Sequence, residues 1–199
     1  MQPLNNAKNK ALILASNSPR RRELMRQIGL DFRVDPADVD ESVFPGESPE
    51  GYAVRVALDK ARAAAARAGT GIVIAADTIV VLDDEILGKP ADPGDAERML
   101  KLLSGNVHRV ITGLAVMDAA TGKVLTRTSI TRVWFRSLAP REIISYIATG
   151  EPLDKAGAYG IQERGALLVD KIDGCYFNVV GLPLSLLGEL LLSFGVDVF

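Results

Sequence analysis

The stretch ALILASNSPRRRELMRQIGLDFRV, residues 11–34, predicts a strand, a helix and a second strand in close succession. The apolar segment ALILAS is typical of a buried strand, and the alternation in DFRV predicts another. Between them, Ser18 and Pro19 are residue types favoured at the N-cap and first position of a helix, and Gly29 marks the end of that helix. This order of elements predicts an α/β fold.

The later part of the chain predicts more helices, together with strands joined by hairpins. Helices are expected at 49–69, 93–105, 140–150 and 182–195. The apolar run at 71–82 is expected to be interrupted at Asp77–Thr78. Hairpins are expected at 107–135, turning at Thr121–Gly122, and at 166–180, turning at Asp173–Gly174. Alternating strands and helices followed by hairpins favour a mixed, twisted sheet flanked by helices over a purely parallel one.

Composition limits the class of protein. The 199 residues, 48% of them hydrophobic, can bury one sizeable core, so we expect a single domain at 11–199 behind a flexible polar tail at 1–10. A net charge of −2 provides no overall field to attract nucleic acid. The sequence has no apolar run as long as a membrane span and no apolar segment of a signal peptide near its start. We therefore expect a soluble cytoplasmic protein with no nucleic-acid or membrane partner.

Cys175 is the only cysteine and His108 the only histidine. This excludes an internal disulfide and a Cys/His zinc cluster. A bound metal would have to be a hard ion held by oxygen ligands, which means Mg²⁺ or Mn²⁺. His108 alternates with apolar residues in VHRVITG, which favours a structural strand residue; an acid–base role is the alternative.

Three arginines, Arg20, Arg21 and Arg22, occupy the first turn of the first predicted helix. Unpaired backbone N–H groups and the positive end of the helix dipole already lie there, so acidic residues would be the stabilising choice. Positive charge at this end is unfavourable alone, but a bound anion makes it favourable, because the N–H groups, the dipole and the guanidinium groups then all face that anion. The alternative is that the side chains extend into water, which we expect for Arg22. Arg20 and Arg21 therefore form a candidate anion site.

Lys60 and Asp77 are charged residues in places where the pattern is apolar. Lys60 falls in the apolar stripe of the 49–69 helix, where it either snorkels to the edge or faces an inner cleft that holds an anion. Asp77 separates two apolar runs, so it needs a partner, a metal or a shifted pKa, unless it caps a turn. Glu41, in an acidic loop, and Lys89, in LGKP, are weak signals alone. Together these cations and carboxylates suit a phosphate chain with a divalent ion.

Six segments occur in order between Leu12 and Leu192: LILASNSPRRREL, RVALDKA, AADTIV, GKP, LSGNVHRVITG and DKAGAYGIQERGALLV. Together they resemble the Maf family of nucleoside triphosphate pyrophosphatases. The resemblance implies a mixed α/β sheet around a central cleft, a homodimer, and Mg²⁺ or Mn²⁺ as the cofactor. Within the family, AGAYGIQ resembles the branch that acts on dTTP and UTP, and not the branch that acts on 7-methyl-GTP.

The resemblance also implies roles for single residues. Ser18, Arg20 and Arg21 match the family's phosphate-binding signature, Asp77 matches the proton acceptor, and Glu41, Lys60 and Lys89 match further active-site positions. Our hypothesis is that the arginines, Lys60 and Lys89 bind the substrate phosphates. In it Glu41 and Asp77 hold the metal, with Asp77 either the proton acceptor as well or a metal ligand only. The resemblance implies that substrate choice depends on Arg21, Thr78 and Gln162.

The implied activity is hydrolysis of a pyrimidine nucleoside triphosphate between the α and β phosphorus atoms, which releases the monophosphate and pyrophosphate. A nucleotide-binding regulator of cell division and septum formation, with little or no turnover, is the alternative. A dinucleotide-dependent oxidoreductase fits poorly, because no G-x-G-x-x-G segment follows the first strand. Pyrophosphate release in the presence of a divalent metal separates the enzyme from the regulator.

Overall fold

A computed structural model describes residues 10–199 of the chain. Its strands are β1 (Leu12–Leu14), β2 (Phe32–Val34), β3 (Ile72–Leu82), β4 (Glu85–Leu87), β5 (Val107–Asp118), β6 (Val124–Phe135) and β7 (Val169–Asp173). Its helices are α1 (Pro19–Gln27), α2 (Pro49–Ala68), α3 (Pro93–Leu103), α4 (Pro140–Ile147), α5 (Tyr176–Val180) and α6 (Leu184–Leu192). Short 3₁₀ turns lie at Glu151–Asp154, Ala156–Ala158 and Glu163–Leu168.

The strands of residues 10–199 form one mixed sheet in the order β2-β1-β3-β5-β6-β7, and β4 pairs with β3 outside this order. β1 runs parallel to both β2 and β3. The β3–β5, β5–β6, β6–β7 and β3–β4 pairs are antiparallel. The predictions of a mixed α/β fold and of the long hairpin at 107–135 are therefore confirmed.

β3 has an open segment along one edge. Its pairing with β1 ends at Leu14↔Ile74, and its pairing with β4 begins at Val80↔Leu87. The backbone between these pairs has a neighbouring strand only on the other edge, where β5 pairs with it throughout. Two side chains from this segment, Asp77 and Thr78, point to opposite faces of the sheet, because strand side chains alternate.

Helix α2 covers the face of the sheet to which Asp77 belongs. Its buried residues there are small, and alanines such as Ala57 and Ala61 pack against Val73 and Ala75 of β3. The close approach requires a glycine in β5, since a Cβ atom at Gly113 would lie 2.2 Å from the Ala53 carbonyl oxygen. Helices α1 and α6 pack on the opposite face, in the core cluster that includes Leu24, Ile74 and Leu187.

Three of the predicted helix starts are confirmed by their caps. The side chains of Ser18, Ser48 and Asp92 each accept a hydrogen bond from the backbone N–H three residues further on. Proline follows each of these caps, at a position where the helix needs no N–H donor. Such local signals suffice to place a helix start from sequence.

The predicted interruption of the strand at Asp77–Thr78 is wrong. β3 continues through both residues, which pair with Gly113 and Thr112 of β5. A polar pair in an apolar run resembles a turn when only neighbouring residues are considered. The strand tolerates it because each polar side chain has a partner from a different helix, as described below.

The second predicted hairpin, at 166–180, is also wrong. Its first half forms β7, which pairs with β6, but Tyr176–Val180 forms helix α5. Gly174, at φ +128°, redirects the chain, and Thr131 of β6 binds both the N–H and the carbonyl of Cys175. A five-residue apolar segment is too short for its period to separate strand from helix.

The predicted flexible tail lies almost wholly outside the described residues, which begin at Lys10. Lys10 itself is held by an ion pair, with its Nζ atom 2.7 Å from Oδ2 of Asp118. Among the helices of residues 10–199, none combines the length and apolar character that a membrane crossing requires.

Candidate active site

A cavity of about 850 Å³ opens at the unpaired segment of β3, between the ends of β1 and β4. Every predicted site residue lines it: Ser18, Arg20, Arg21, Glu41, Lys60, Asp77, Thr78, Lys89 and Gln162. These residues come from helices, strands and loops that are far apart in sequence. The structure therefore brings together the whole set that the resemblance singled out.

The N-terminus of α1 forms one wall of the cavity. Ser18 caps the helix, and no acidic residue lies in its first turn. The guanidinium of Arg20 lies 3.7 Å from the carboxylate of Asp154, an exposed residue, so this weak pair leaves Arg20 accessible to the cavity. Arg22 does not line the cavity, and its Nη2 atom is 3.5 Å from the Asn17 carbonyl oxygen.

Arg21 is bonded to protein at all three side-chain nitrogens. Its Nε donates to the Gly181 carbonyl at 2.9 Å, its Nη1 to Ser16 Oγ at 3.2 Å, and its Nη2 to Thr78 Oγ1 at 3.0 Å. Burial lowers the pKa of the guanidinium, and the Asp77 carboxylate opposes that effect. Arg21 thus ties together α1, β3 and the segment after α5, and it fixes the wall on which Thr78 lies.

The polar contacts continue behind this wall, through residues that sequence reasoning missed. The hydroxyl oxygens of Thr78 and Thr112 are 2.9 Å apart, and the Thr112 hydroxyl is 3.4 Å from the Asn178 carbonyl oxygen. Ser16, which binds Arg21, lies in the cavity wall itself. Only the adjacency of β3 and β5 shows that Thr112 supports Thr78, and no local sequence pattern signals that adjacency.

Lys60 lies between two carboxylates. Its Nζ atom is 2.7 Å from Asp77 Oδ1 and 2.7 Å from Glu41 Oε1. The side chains of Lys60 and Asp77 are only 12% and 10% exposed, whereas that of Glu41 is 53% exposed. Of the two alternatives for Lys60, the structure shows the one in which the side chain faces the cavity, and Asp77 lies within β3 and does not cap a turn.

The donor set at this point suits a hard divalent ion. Glu41 and Asp77 lie close together, since the single ammonium of Lys60 is 2.7 Å from a carboxylate oxygen of each. Within residues 10–199, His, Cys, Asp and Glu form no cluster of three or more that could hold a metal ion. Mg²⁺ is commonly bound by one or two carboxylates together with substrate phosphates. The two carboxylates therefore fit a metal that the substrate helps to hold.

Tyr52 positions the loop that carries Glu41. Its hydroxyl donates to the Glu41 carbonyl oxygen at 2.8 Å, and its ring is buried against α2 and β3. Burial, reinforced by the nearby carboxylates of Asp77 and Glu41, raises the pKa of this phenol to about 12. The hydroxyl therefore remains a donor at neutral pH. Sequence reasoning missed Tyr52, which occupies an apolar position of the α2 pattern.

Gln162 lies in a strained loop that lines the cavity. Gly157, Ala158 and Glu163 all have left-handed backbone angles, with φ of +68°, +58° and +53°. Two of these three are not glycines, and such strain is common at functional sites. The Gly157 N–H donates to the Gly88 carbonyl at 3.0 Å, so the loop begins beside Lys89.

His108 does not line the cavity and is buried in the core beside Tyr159 and Phe135. The residue is 2% exposed, its Nε2 atom is 2.7 Å from the Tyr159 hydroxyl, and its ring meets that of Phe135 edge-on. Burial lowers the pKa of this imidazole to about 4. The geometry agrees with the interpretation of His108 as a structural strand residue.

The chain is similar in sequence to proteins of a known family. The family model described as "Maf-like protein" matches residues 11–194. The chain is 54% identical over 188 residues to the dTTP/UTP pyrophosphatase of Moorella thermoacetica, covering 94% of this chain and 97% of that protein. It is 52% identical over 187 residues to the dTTP/UTP pyrophosphatase of Geobacter metallireducens, with coverage of 94% and 97%. A solved HAM1 protein from Coxiella burnetii aligns with a TM-score of 0.48 and 19% identity, over 63% of this chain and 73% of that one.

Proposed function

Because the chain belongs to the Maf family, we propose that it is a nucleoside triphosphate pyrophosphatase that hydrolyses dTTP and UTP to the nucleoside monophosphate and pyrophosphate. The observation that carries the proposal is the cavity in which the Lys60–Asp77–Glu41 cluster faces the arginine-bearing end of α1. Relatives about half identical over nearly the whole chain are named for this activity, which favours an enzyme over a regulator without turnover.

The cationic side of the cavity binds the triphosphate in this proposal. The N-terminus of α1 offers backbone N–H groups and the positive end of its dipole, and Ser18 and Arg20 lie beside it. Lys89 is exposed and has no carboxylate within 4 Å among the described residues, so its ammonium is available to phosphate oxygens. Arg21 adds positive charge to this side of the cavity, and its hydrogen bonds to Gly181 and Thr78 keep that side in position.

The carboxylate side carries the chemistry. Glu41 and Asp77 would hold Mg²⁺ or Mn²⁺, which when bound screens the phosphate charge and makes water a better nucleophile. Asp77 is the buried member of the pair, and we assign to it the orientation of the attacking water and acceptance of its proton. Lys60 lies against both carboxylates and can also neutralise charge that develops on the phosphates.

We assign selection of the nucleotide base to Gln162 and Thr78. The Gln162 carboxamide has donors and an acceptor, which can match the imide N–H and carbonyl groups of uracil or thymine. Thr78, fixed by Arg21 and Thr112, also lines the cavity. A base that leaves these polar groups unpaired is rejected at a cost of about 1–3 kcal/mol per unmet group.

We also propose a homodimer that works in the cytoplasm. The family resemblance supports the dimer, and a nucleotide substrate supports the compartment. Size-exclusion chromatography with light scattering tests the first: a mass near twice 21.3 kDa supports it, and the mass of one chain contradicts it.

A nucleotide panel tests the proposed activity. The purified protein with Mg²⁺ is assayed against ribo- and deoxynucleoside triphosphates, including 7-methyl-GTP, for both pyrophosphate and orthophosphate. We expect pyrophosphate as the primary product and the highest kcat/KM for dTTP and UTP. Binding of nucleotides without any release of pyrophosphate would instead indicate a regulator.

A further inference from the structure

The loop 160–165, which carries Gln162, is closed tightly at its two ends. A Cβ atom on Gly165 would lie 2.1 Å from the Gly160 carbonyl oxygen and 2.6 Å from the Tyr146 hydroxyl. No side chain fits there, so only glycine allows the ends to meet. Residues 160–165 therefore form a closed six-residue loop, in which Gln162 and Glu163 line the cavity.

Two side chains bind the backbone at this point. The Tyr146 hydroxyl accepts from the Gly160 N–H at 3.2 Å and donates to Glu151 Oε1 at 2.9 Å. Glu151 Oε1 also accepts from the Gly165 N–H at 3.1 Å, and Oε2 from the Arg164 N–H at 3.3 Å. One hydroxyl and one carboxylate thus bind backbone N–H groups at both ends of the loop.

Tyr146 and Glu151, which we call the clamp, are themselves held in place by neighbouring residues. Tyr146 is 5% exposed and packs in the core cluster formed with α3 and α4. The Glu151 backbone N–H donates to Thr149 Oγ1 at 3.1 Å, and its carbonyl accepts from Lys155 Nζ at 2.6 Å. Between the anchors, Glu163 keeps a left-handed φ of +53°, which persists only where the surroundings enforce it.

We propose that Tyr146 and Glu151 are positioning residues that set base selectivity by fixing the loop of Gln162. The inference rests on the proposed function, because it takes Gln162 to contact the base. This role requires no contact between either residue and the reacting phosphates. Asp77 and Lys60, which are assigned to that chemistry, come from β3 and α2 and have no bond to the clamp.

Loss of the clamp should therefore affect binding of the correct base more than bond cleavage. Without the Tyr146 hydroxyl, the Gly160 N–H loses its acceptor and Glu151 loses one donor. The loop then samples other conformations, and Gln162 spends less time where it can pair with uracil or thymine. We expect a higher KM for dTTP and UTP, little change in kcat, and a smaller preference for pyrimidines.

The experiment compares Tyr146→Phe and Glu151→Gln with the wild type. Glu151→Gln places an amide NH₂ where the Arg164 backbone N–H needs an acceptor. Because Glu151 lies on a surface turn, this variant remains informative if Tyr146→Phe fails to fold. Tyr176→Phe is the matched control, because Tyr176 is 42% exposed and lies outside the cavity lining. Pyrophosphate release is measured with dTTP, UTP, ATP and GTP, and amide hydrogen exchange is measured over 157–166 without nucleotide.

We expect the pyrimidine-to-purine ratio of kcat/KM to fall about 5- to 10-fold in both clamp variants, mainly through KM, as loss of roughly 1 kcal/mol predicts. Exchange at the loop amides should rise, and Tyr176→Phe should match the wild type in both respects. An unchanged ratio, or a loss of kcat that is equal for all nucleotides, overturns the inference. If the wild type releases no pyrophosphate, the proposed function is wrong. If amide hydrogen exchange in the loop is unchanged in the variants, the positioning role of Tyr146 and Glu151 is wrong, whatever the activity.

Discussion

Asp77 of β3 and Lys60 of α2 form a direct ion pair, with Oδ1 and Nζ 2.7 Å apart and both side chains almost buried. Asp77 belongs to the open segment of β3, and both residues of the pair line the cavity. A charged pair in this position costs desolvation energy that an apolar pair would avoid. The presence of such a pair in the cavity agrees with the catalytic use proposed for the two groups.

Asp77→Asn is expected to lower kcat by about 10²- to 10⁴-fold, because a general base or metal ligand is lost. Lys60 keeps its contact with Glu41, and the asparagine oxygen can still accept from it, so the melting temperature should fall by only a few degrees. Steady-state kinetics and thermal unfolding measure both quantities. Asp173→Asn makes the same change in an exposed pair with Arg132 and should retain activity. Unfolding of Asp77→Asn at room temperature would indicate a structural role instead.

Arg20→Ala is expected to raise KM for triphosphates and to make KM less sensitive to salt, because one charge-assisted contact is removed. Arg22→Ala is the matched control, since Arg22 lies two positions further along α1 but outside the cavity lining. Kinetics at two or more salt concentrations separate the variants. Equal behaviour of the two would show that the helix N-terminus is not a phosphate site.

Gln162→Glu is expected to narrow the preference for dTTP and UTP while pyrophosphate remains the product. The change removes the amide donors and adds a negative charge next to the base. The ratio of kcat/KM between dTTP and GTP measures it, with Gln27→Glu at the exposed end of α1 as a control for added charge. Retention of the full preference in Gln162→Glu would remove this residue from base selection.

His108 is expected to make stability depend on pH. Burial lowers its folded-state pKa to about 4, below the ordinary value of 6.5, so the unfolded chain binds the proton first as pH falls. The stabilisation is complete above pH 6.5 and is lost progressively down to about pH 4, by an amount on the order of 3 kcal/mol. Denaturant unfolding of the wild type and His108→Gln across this window measures it. Parallel pH profiles for the two proteins would contradict the expectation.

Much of the cavity follows from local sequence signals. Caps and apolar periodicity place α1 and α2, and they show Arg20 at a helix start and Lys60 in an apolar stripe. Asp77 is conspicuous because it interrupts an apolar run. The family resemblance then joined these separate signals into one predicted site.

The predictions from sequence are wrong or incomplete where contacts between residues far apart in the chain determine the structure. β3 continues through Asp77 because Lys60 neutralises that charge from another element and β5 pairs with the backbone. Thr112 and Tyr146 act through contacts with Thr78 and Gly160, residues remote in sequence. Neither their type nor their spacing reveals such contacts, since a buried threonine or tyrosine in an apolar segment is ordinary core composition.

The central claim is hydrolysis between the α and β phosphorus atoms, and two dTTP analogues test it most directly. One has nitrogen in place of the β–γ bridging oxygen, and the other has carbon in place of the α–β bridging oxygen. With Mg²⁺, the wild type should convert the first to dTMP and imidodiphosphate and leave the second intact, and EDTA should abolish the reaction. Release of orthophosphate from the α–β carbon analogue, with the β–γ nitrogen analogue left intact, would contradict the assignment.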